Sequence, residues 1–282
     1  MITLEQINFG YGRTPLFQEL SLDLTAGGIT GLLGKNGVGK TTLLKLISGL
    51  RFAQSGRCRV MDRASAERPA ALLRELFFLP EAFTLPAVSP GTYLKLYAPF
   101  YPRFDASRFH QYLEDFEVPT DAFLPKLSFG QQKKFMLAFG MATHCRLLLL
   151  DEPTNGLDIP SKSRLRQMLA AYWAEDRLAL IATHQAREVQ HIIDAVIILQ
   201  EGDVIFNQPL ERVAARIAIQ VHPVAPDSAE ALLVHAVPGG FAVVTANREG
   251  CESDLDLEIL FNTVTANPQR MTALCTPEED HE

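Results

Sequence analysis

Two textures alternate along the chain. Ahead of residue 34 the pattern has period two: Ile2-Thr3-Leu4, residues 6–9, and Leu20-Ser21-Leu22-Asp23-Leu24, where apolar and polar positions take turns. That alternation predicts strands with one buried face. Farther on, continuous apolar runs occur instead: Ile29-Thr30-Gly31-Leu32-Leu33, Leu76-Phe77-Phe78-Leu79, Leu147-Leu148-Leu149-Leu150 and Leu178-Ala179-Leu180-Ile181-Ala182. Four successive leucines suit a strand buried on both faces, as in a parallel sheet. Helical spacing separates these runs. Leu43, Leu44, Ile47 and Leu50 follow the first, Phe135, Met136, Phe139 and Met141 precede the third, and a helix is predicted from 161 to 173. Shorter elements complete the set: an edge strand at 57–61, a helical turn at 70–76, and a hairpin of 196–199 and 204–206 around Glu201-Gly202-Asp203. Strands alternating with helices predict an α/β fold.

Two segments depart from this rhythm. From 83 to 118 prolines recur (Pro86, Pro90, Pro99, Pro102, with Pro119 just beyond) and nine aromatic residues cluster between Phe83 and Phe116. The spacing between the prolines is helical, which predicts a helical insertion. Most of those rings are expected in a core, and any surplus exposed on one side would mark a docking surface. Beyond 216, residues 231–235 and 241–245 flank Pro238-Gly239-Gly240 and read as a hairpin. Leu257, Leu260, Phe261 and Val264 then follow the spacing of an amphipathic helix. A small α+β appendage is expected over 216–276, and the run Pro277-Glu278-Glu279-Asp280-His281-Glu282 is expected to be a frayed acidic tail.

Charge narrows the function. Lys and Arg number 26 against 33 Asp and Glu, a formal charge of −7. A nucleic-acid partner would call for a basic face, so none is expected. Hydrophobic residues make up 47% of the chain, yet no apolar run reaches membrane-spanning length. Met1-Ile2-Thr3-Leu4-Glu5 lacks the basic and apolar regions of a signal peptide. Cys58, Cys145, Cys251 and Cys275 show no C-x-x-C spacing. Free thiols in a reducing compartment are expected, and a cytosolic location with them.

The chemistry centres on Gly34-Lys35-Asn36-Gly37-Val38-Gly39-Lys40-Thr41-Thr42, which has the form G-x-x-x-x-G-K-[ST] between an apolar strand and a helix. Glycines let backbone N–H groups close around an anion, and the new helix adds the positive end of its dipole. Lys40 is expected to reach the β- and γ-phosphates of a nucleoside triphosphate, and the Thr41 hydroxyl to ligate magnesium. Asp151-Glu152 ends the leucine strand, at the carboxyl edge where open α/β sheets bind ligands. Asp151 suits a magnesium shell, and Glu152 suits orienting or deprotonating water. Tyr11, between Gly10 and Gly12, carries a flat ring that could stack on a purine. Leu127-Ser128-Phe129-Gly130-Gln131-Gln132 opens a helix, and Thr183-His184 ends another buried strand.

In order, GKNGVGKTT, LSFGQQ, LLLLDEPTNGLD and IATH resemble the nucleotide-binding subunit of ATP-binding-cassette (ABC) transporters over about residues 1–215. The resemblance implies a P-loop NTPase of ABC-cassette type, with a RecA-like parallel-sheet core, an antiparallel β subdomain and a helical insertion at about 83–135. It implies a head-to-tail dimer, expected to be a homodimer, enclosing two Mg-ATP. Gly34, Asn36, Gly37, Gly39, Lys40, Thr41 and Thr42 would hold the phosphates, and Ser128, Gly130 and Gln131 would meet the γ-phosphate held by the opposite subunit. Glu152 would be the base, His184 the γ-phosphate switch, Asp158 the link between the two sites, and Tyr11 the adenine platform. Two departures stand out. Leu79-Pro80-Glu81 has a carboxylate where the family usually has glutamine, and Glu81 is still expected in the magnesium shell. Phe129 replaces the usual signature glycine, with activity expected to be retained. Pro99-Phe100-Tyr101-Pro102-Arg103-Phe104-Asp105 resembles bacterial exporters with a separate permease chain. That implies an ATPase on the inner face of the membrane, docked to an integral-membrane permease through the aromatic insertion, with the C-terminal appendage supporting the dimer or the permease. The competing expectation is an ABC-type ATPase acting as a mechanical or regulatory module without a permease.

Overall fold

The computed structural model describes residues 1–172, 174–226, 230–247 and 254–276. Cys251 and the acidic run 277–282 lie outside the described residues. The first third of the chain runs β1 (Ile2–Tyr11), β2 (Thr14–Leu24), β3 (Gly28–Leu33), α1 (Lys40–Ile47), β4 (Ser55–Val60), β5 (Arg63–Ala64), α2 (Ala70–Leu73) and β6 (Leu76–Leu79). There follow α3 (Pro90–Tyr97), α4 (Ala106–Asp115), α5 (Phe129–Ala142), β7 (Leu147–Asp151), α6 (Ile159–Tyr172), β8 (Leu178–Thr183) and α7 (Ala186–Val189). The remainder comprises β9 (Ala195–Gln200), β10 (Asp203–Pro209), α8 (Leu210–Arg216), β11 (Ile217–His222), β12 (Leu233–Val237), β13 (Gly240–Ala246), α9 (Leu257–Ala266) and α10 (Pro268–Cys275).

The apolar runs form the central sheet, of order β10-β9-β3-β8-β7-β6. Its pairings are parallel except for β10, which turns back on β9 as a hairpin. Every residue of β7 and β8 is buried, as strands covered on both faces require. Register pairs Leu33 with Thr183 and Asp151 with Ala182. The carboxyl ends of β3, β8 and β7 therefore stand side by side, and the loops that leave them share one edge of the sheet.

A second, antiparallel sheet has order β2-β1-β4-β5. Two expectations are corrected there. The segments at 2–4 and 6–9 are one strand, interrupted by a register shift between Leu4 and Ile7 where Gln6 takes φ 48°. This bulge lets Leu4 and Ile7 both face the core although three positions separate them. The strand near 57–61 is not the edge, because the two-residue β5 pairs outside it.

Between β6 and β7 the aromatic residues build the core of a helical layer. Tyr93 meets Phe135 and Phe139 edge-on at 5.2 Å, and Phe109 meets Phe135 edge-on at 5.6 Å. Leu96, Phe100, Phe123 and Phe129 stay exposed. In the C-terminal part β12 and β13 form the expected hairpin. The edge strand β11 pairs with β13 on its other side, and α10 follows α9. Asp256 caps α9 by accepting from the N–H groups of Glu258 and Ile259. The helix is tied to α7 and the turn after it through an Arg187–Glu258 ion pair and a hydrogen bond from the Leu257 N–H to the Gln190 side chain. Cys58, Cys145 and Cys275 are free thiols. Among the described residues no helix is long and apolar enough to cross a membrane.

Candidate nucleotide site

The glycine-rich loop joins β3 to α1. Gly39 precedes the helix at φ 112°, a conformation that L side chains rarely adopt, and an added Cβ would strike the Phe17 ring at 2.7 Å. No side chain caps α1 and no acidic residue occupies its first turn, so its leading N–H groups remain available to an anion. Lys40 is buried and folded back, donating to the carbonyls of Gly34 (2.7 Å) and Lys35 (3.1 Å). Burial lowers its pKa, opposed by the nearby charges of Glu152, Asp151 and Glu81. Tyr11 ends β1, half exposed. Its ring stands edge-on to Phe9 at 5.1 Å, and its hydroxyl lies 3.0 Å from Thr42 Oγ1.

Asp151 accepts a hydrogen bond from the Thr41 hydroxyl at 2.7 Å. Burial raises the Asp151 pKa, and the Thr41 hydrogen bond works against that rise. A buried carboxylate and a hydroxyl already in contact are hard oxygen donors, which suits magnesium. No group of three His, Cys, Asp or Glu is arranged to hold a metal among the described residues.

Glu152 is buried and has φ 47°, in the left-handed region. Its carboxylate accepts from the Thr183 hydroxyl (2.9 Å) and the His184 N–H (3.0 Å), and His184 Nδ1 lies 2.7 Å away. The base candidate and the switch candidate are thus in direct contact. A cavity of about 400 Å³ collects Tyr11, Asn36, Gly37, Gly39, Lys40, Thr41, Thr42, Glu81, Asp151 and Glu152. Gly34 and His184 line a neighbouring one of about 470 Å³, walled on its far side by Glu258, Phe261 and Asn262.

Ser128, Gly130, Gln131 and Asp158 line neither cavity. Ser128 and Gln131 close a reciprocal capping box at the start of α5, with contacts of 3.2 and 3.0 Å. Gly130 packs against the loop after β7, where an added Cβ would lie 2.8 Å from the Gly156 carbonyl oxygen. Asp158 accepts from the Ser161 N–H at 2.8 Å and pairs with Lys134 at 2.9 Å. The Ser161 and Lys134 hydrogen bonds hold its carboxyl well below the usual range. Phe129 stacks on Phe83 at 5.7 Å, linking the signature to the loop that carries Glu81.

Three site residues escape the sequence reading. Asn155 Nδ2 donates to Glu81 Oε1 (3.1 Å), Gln185 Nε2 donates to Asn155 Oδ1 (3.0 Å), and Lys133 donates to main-chain carbonyls beneath them. The cue for Asn155 and Gln185 was adjacency to Glu152 and His184. For Lys133 it was a position one turn into the helix that Ser128 opens, just ahead of the apolar run from Phe135.

A parallel sheet whose strand ends present a phosphate cradle beside a hydroxyl–carboxylate pair defines a P-loop nucleotide-binding protein. The ABC transporter family model matches residues 17–155. The aliphatic sulfonates import ATP-binding protein SsuB of Granulibacter bethesdensis is 31% identical over 207 residues, covering 72% of this chain and 81% of that one. The ABC transporter ATP-binding protein YtrB of Bacillus subtilis is 29% identical over 206 residues, covering 72% and 70%. Among solved structures, a dimeric ATP-binding cassette in a post-hydrolysis state with ADP and Pi superposes with a TM-score of 0.66 at 21% identity. It covers 74% of this chain and 99% of that one. The chain belongs to the ABC transporter ATP-binding family and is an ATPase, the ATP-binding subunit of a transporter.

Proposed function

We propose that two copies of this chain close head-to-tail around two Mg-ATP and that hydrolysis powers a separate membrane permease. The observation that carries this reading is the separation within one chain: cradle, Asp151 and Glu152 line one cavity, while Ser128, Gly130 and Gln131 stand apart from it. In the dimer the signature of one copy completes the cradle of the other. The relative captured as a dimer with ADP and Pi supports it. Residues 1–215 act as the ATPase body with a helical subdomain at about 83–135, and 216–276 as an appendage.

On ATP binding, Lys40 leaves the Gly34 and Lys35 carbonyls for the β- and γ-phosphates, and the amides of residues 37–42 receive phosphate oxygens. Thr41 and Asp151, with Glu81 beside them, would hold magnesium, which supplies charge neutralisation at the phosphates. Tyr11 stacks on adenine. Glu152 accepts the proton of the water that attacks the γ-phosphorus as the bond to the bridging oxygen of the leaving ADP breaks. His184 bonds the γ-phosphate, and Asp158 joins the two sites across the dimer. The exposed aromatic residues of the helical layer dock the permease on the inner face of the membrane. The run 99–105 favours export, whereas the name of the sulfonate relative favours import.

Affinity purification of the tagged chain from detergent-solubilised membranes, with mass spectrometry, tests the permease. A polytopic membrane protein in stoichiometric yield is expected. Recovery of soluble partners alone would favour the permease-free ATPase and leave the nucleotide site unaffected.

A further inference from the structure

We propose that Lys133 is a positioning residue for hydrolysis, pinning the main chain on either side of the post-β7 turn and so aiming the Glu152 carboxylate. The inference rests on the reading of Glu152 as base. Lys133 is fully buried. Its ammonium donates to the Glu152 carbonyl at 2.5 Å and to the Asn155 carbonyl at 3.0 Å. No carboxylate forms an ion pair with it among the described residues, so both of its bonds go to main chain. A charge desolvated in this way is costly, and an apolar residue of similar length would often be as stable or more so. Its presence therefore points to work beyond packing.

That work is visible at Glu152. The residue sits at φ 47°, a conformation that a non-glycine residue keeps only when its surroundings over-determine it. Its N–H is fixed by the Ala182 carbonyl at 2.8 Å, and its own carbonyl accepts from Lys133 at 2.5 Å and, more loosely, from the Asn155 N–H at 3.2 Å. With both peptide groups held, the side chain leaves the backbone in one direction, towards Thr183 and His184. The second bond fixes Asn155, whose side chain bridges Glu81 and Gln185. Lys133 also lies one turn inside the helix that begins at Ser128, so signature and base are coupled through a single side chain. Its neighbour Lys134 reaches Asp158 at the surface and cannot substitute.

The test compares Lys133→Met, which keeps length and loses the donors, with Lys133→Gln, which keeps an N–H donor, in the full chain. Phosphate release gives kcat and KM, and a fluorescent non-hydrolysable ATP analogue gives Kd. For Lys133→Met, kcat is expected to fall about tenfold or more while Kd stays within about twofold, with Lys133→Gln recovering part of the loss. A kcat within about threefold of wild type overturns the proposal, as does a parallel loss of kcat and nucleotide affinity, the mark of a structural role. If Lys133→Met does not fold, Lys133→Leu, which also lacks the donors, is read by the same two criteria. Glu152→Gln is measured alongside. Wild-type turnover in Glu152→Gln sinks the base assignment itself, whereas a dead Glu152→Gln beside a fully active Lys133→Met sinks only this inference.

Discussion

Replacing Gly130 with alanine probes the contact between the signature helix and the turn after β7. The new methyl would sit 2.8 Å from the Gly156 carbonyl oxygen, about 0.6 Å inside the 3.4 Å at which ordinary contact begins. One side must yield. The first turn of α5 is held by the Ser128–Gln131 capping box and by Lys133, whereas Gly156 is exposed and takes φ 80°. Gly156 therefore moves and carries Asp158 with it, loosening the 2.8 Å cap on Ser161 and the 2.9 Å pair with Lys134. Overpacking of this kind costs about 1–3 kcal/mol. For a body of this size that lowers Tm by about 2–10 °C. Asp158 is exposed, so its contacts add little to that figure. The cradle is untouched, and ATP affinity measured with a fluorescent analogue should stay within about twofold. Steady-state phosphate release should fall about tenfold, because the displaced surface is the one proposed to meet the partner's cradle. An unchanged Tm together with wild-type turnover would refute the reasoning, since the clash would then have been absorbed without moving anything that matters.

Two further outcomes follow from individual side chains. Tyr11→Ala should weaken ATP binding by about 1–3 kcal/mol, roughly 5- to 150-fold, as loss of a base-stacking ring does. Tyr11→Phe gives up only the contact with Thr42 and should bind within about threefold. Equal affinities for the two variants in a titration would exclude stacking. Burial pushes the Cys145 thiol from its ordinary value of 9.0 up to about 12. Its contribution to stability is therefore complete below pH 9.0 and is lost as pH rises towards 12. Iodoacetamide at pH 8.0 should leave Cys145 unmodified in the folded chain and alkylate it in urea, as read by peptide mass spectrometry.

Much of the site could be read from the sequence because its parts are local. A strand, a glycine loop and Lys40-Thr41 lie within residues 28–41, and Asp151-Glu152 end a run of four leucines. Parallel pairing then brings these ends together, since β3, β8 and β7 share one register. What the pattern hides is non-local or geometrically irregular. The bulge at Gln6 breaks the period-two signal that would have joined the two halves of β1. β5 is too short to display a pattern, so β4 looked like an edge. β11 follows α8 with no intervening turn residue, and the helical spacing of Val213 runs directly into Ile217. Lys133 and Lys134 are adjacent and chemically alike, yet one is buried under Glu152 and the other reaches Asp158. Helical phase separates them, and that phase depends on where the Ser128 cap starts the helix. The positive φ of Glu152, which makes its carbonyl a target for Lys133, has no sequence signature.

The central claim is that one chain holds only part of each hydrolytic site. Sedimentation velocity of Glu152→Gln with and without Mg-ATP tests it most directly, because this variant keeps the phosphate cradle but lacks the proposed base. The account predicts a monomer without nucleotide and a dimer with Mg-ATP, reverting to monomer when Ser128→Arg is added to block the anion-facing helix start. A Glu152→Gln chain that saturates with Mg-ATP and remains monomeric throughout the accessible concentration range would contradict it.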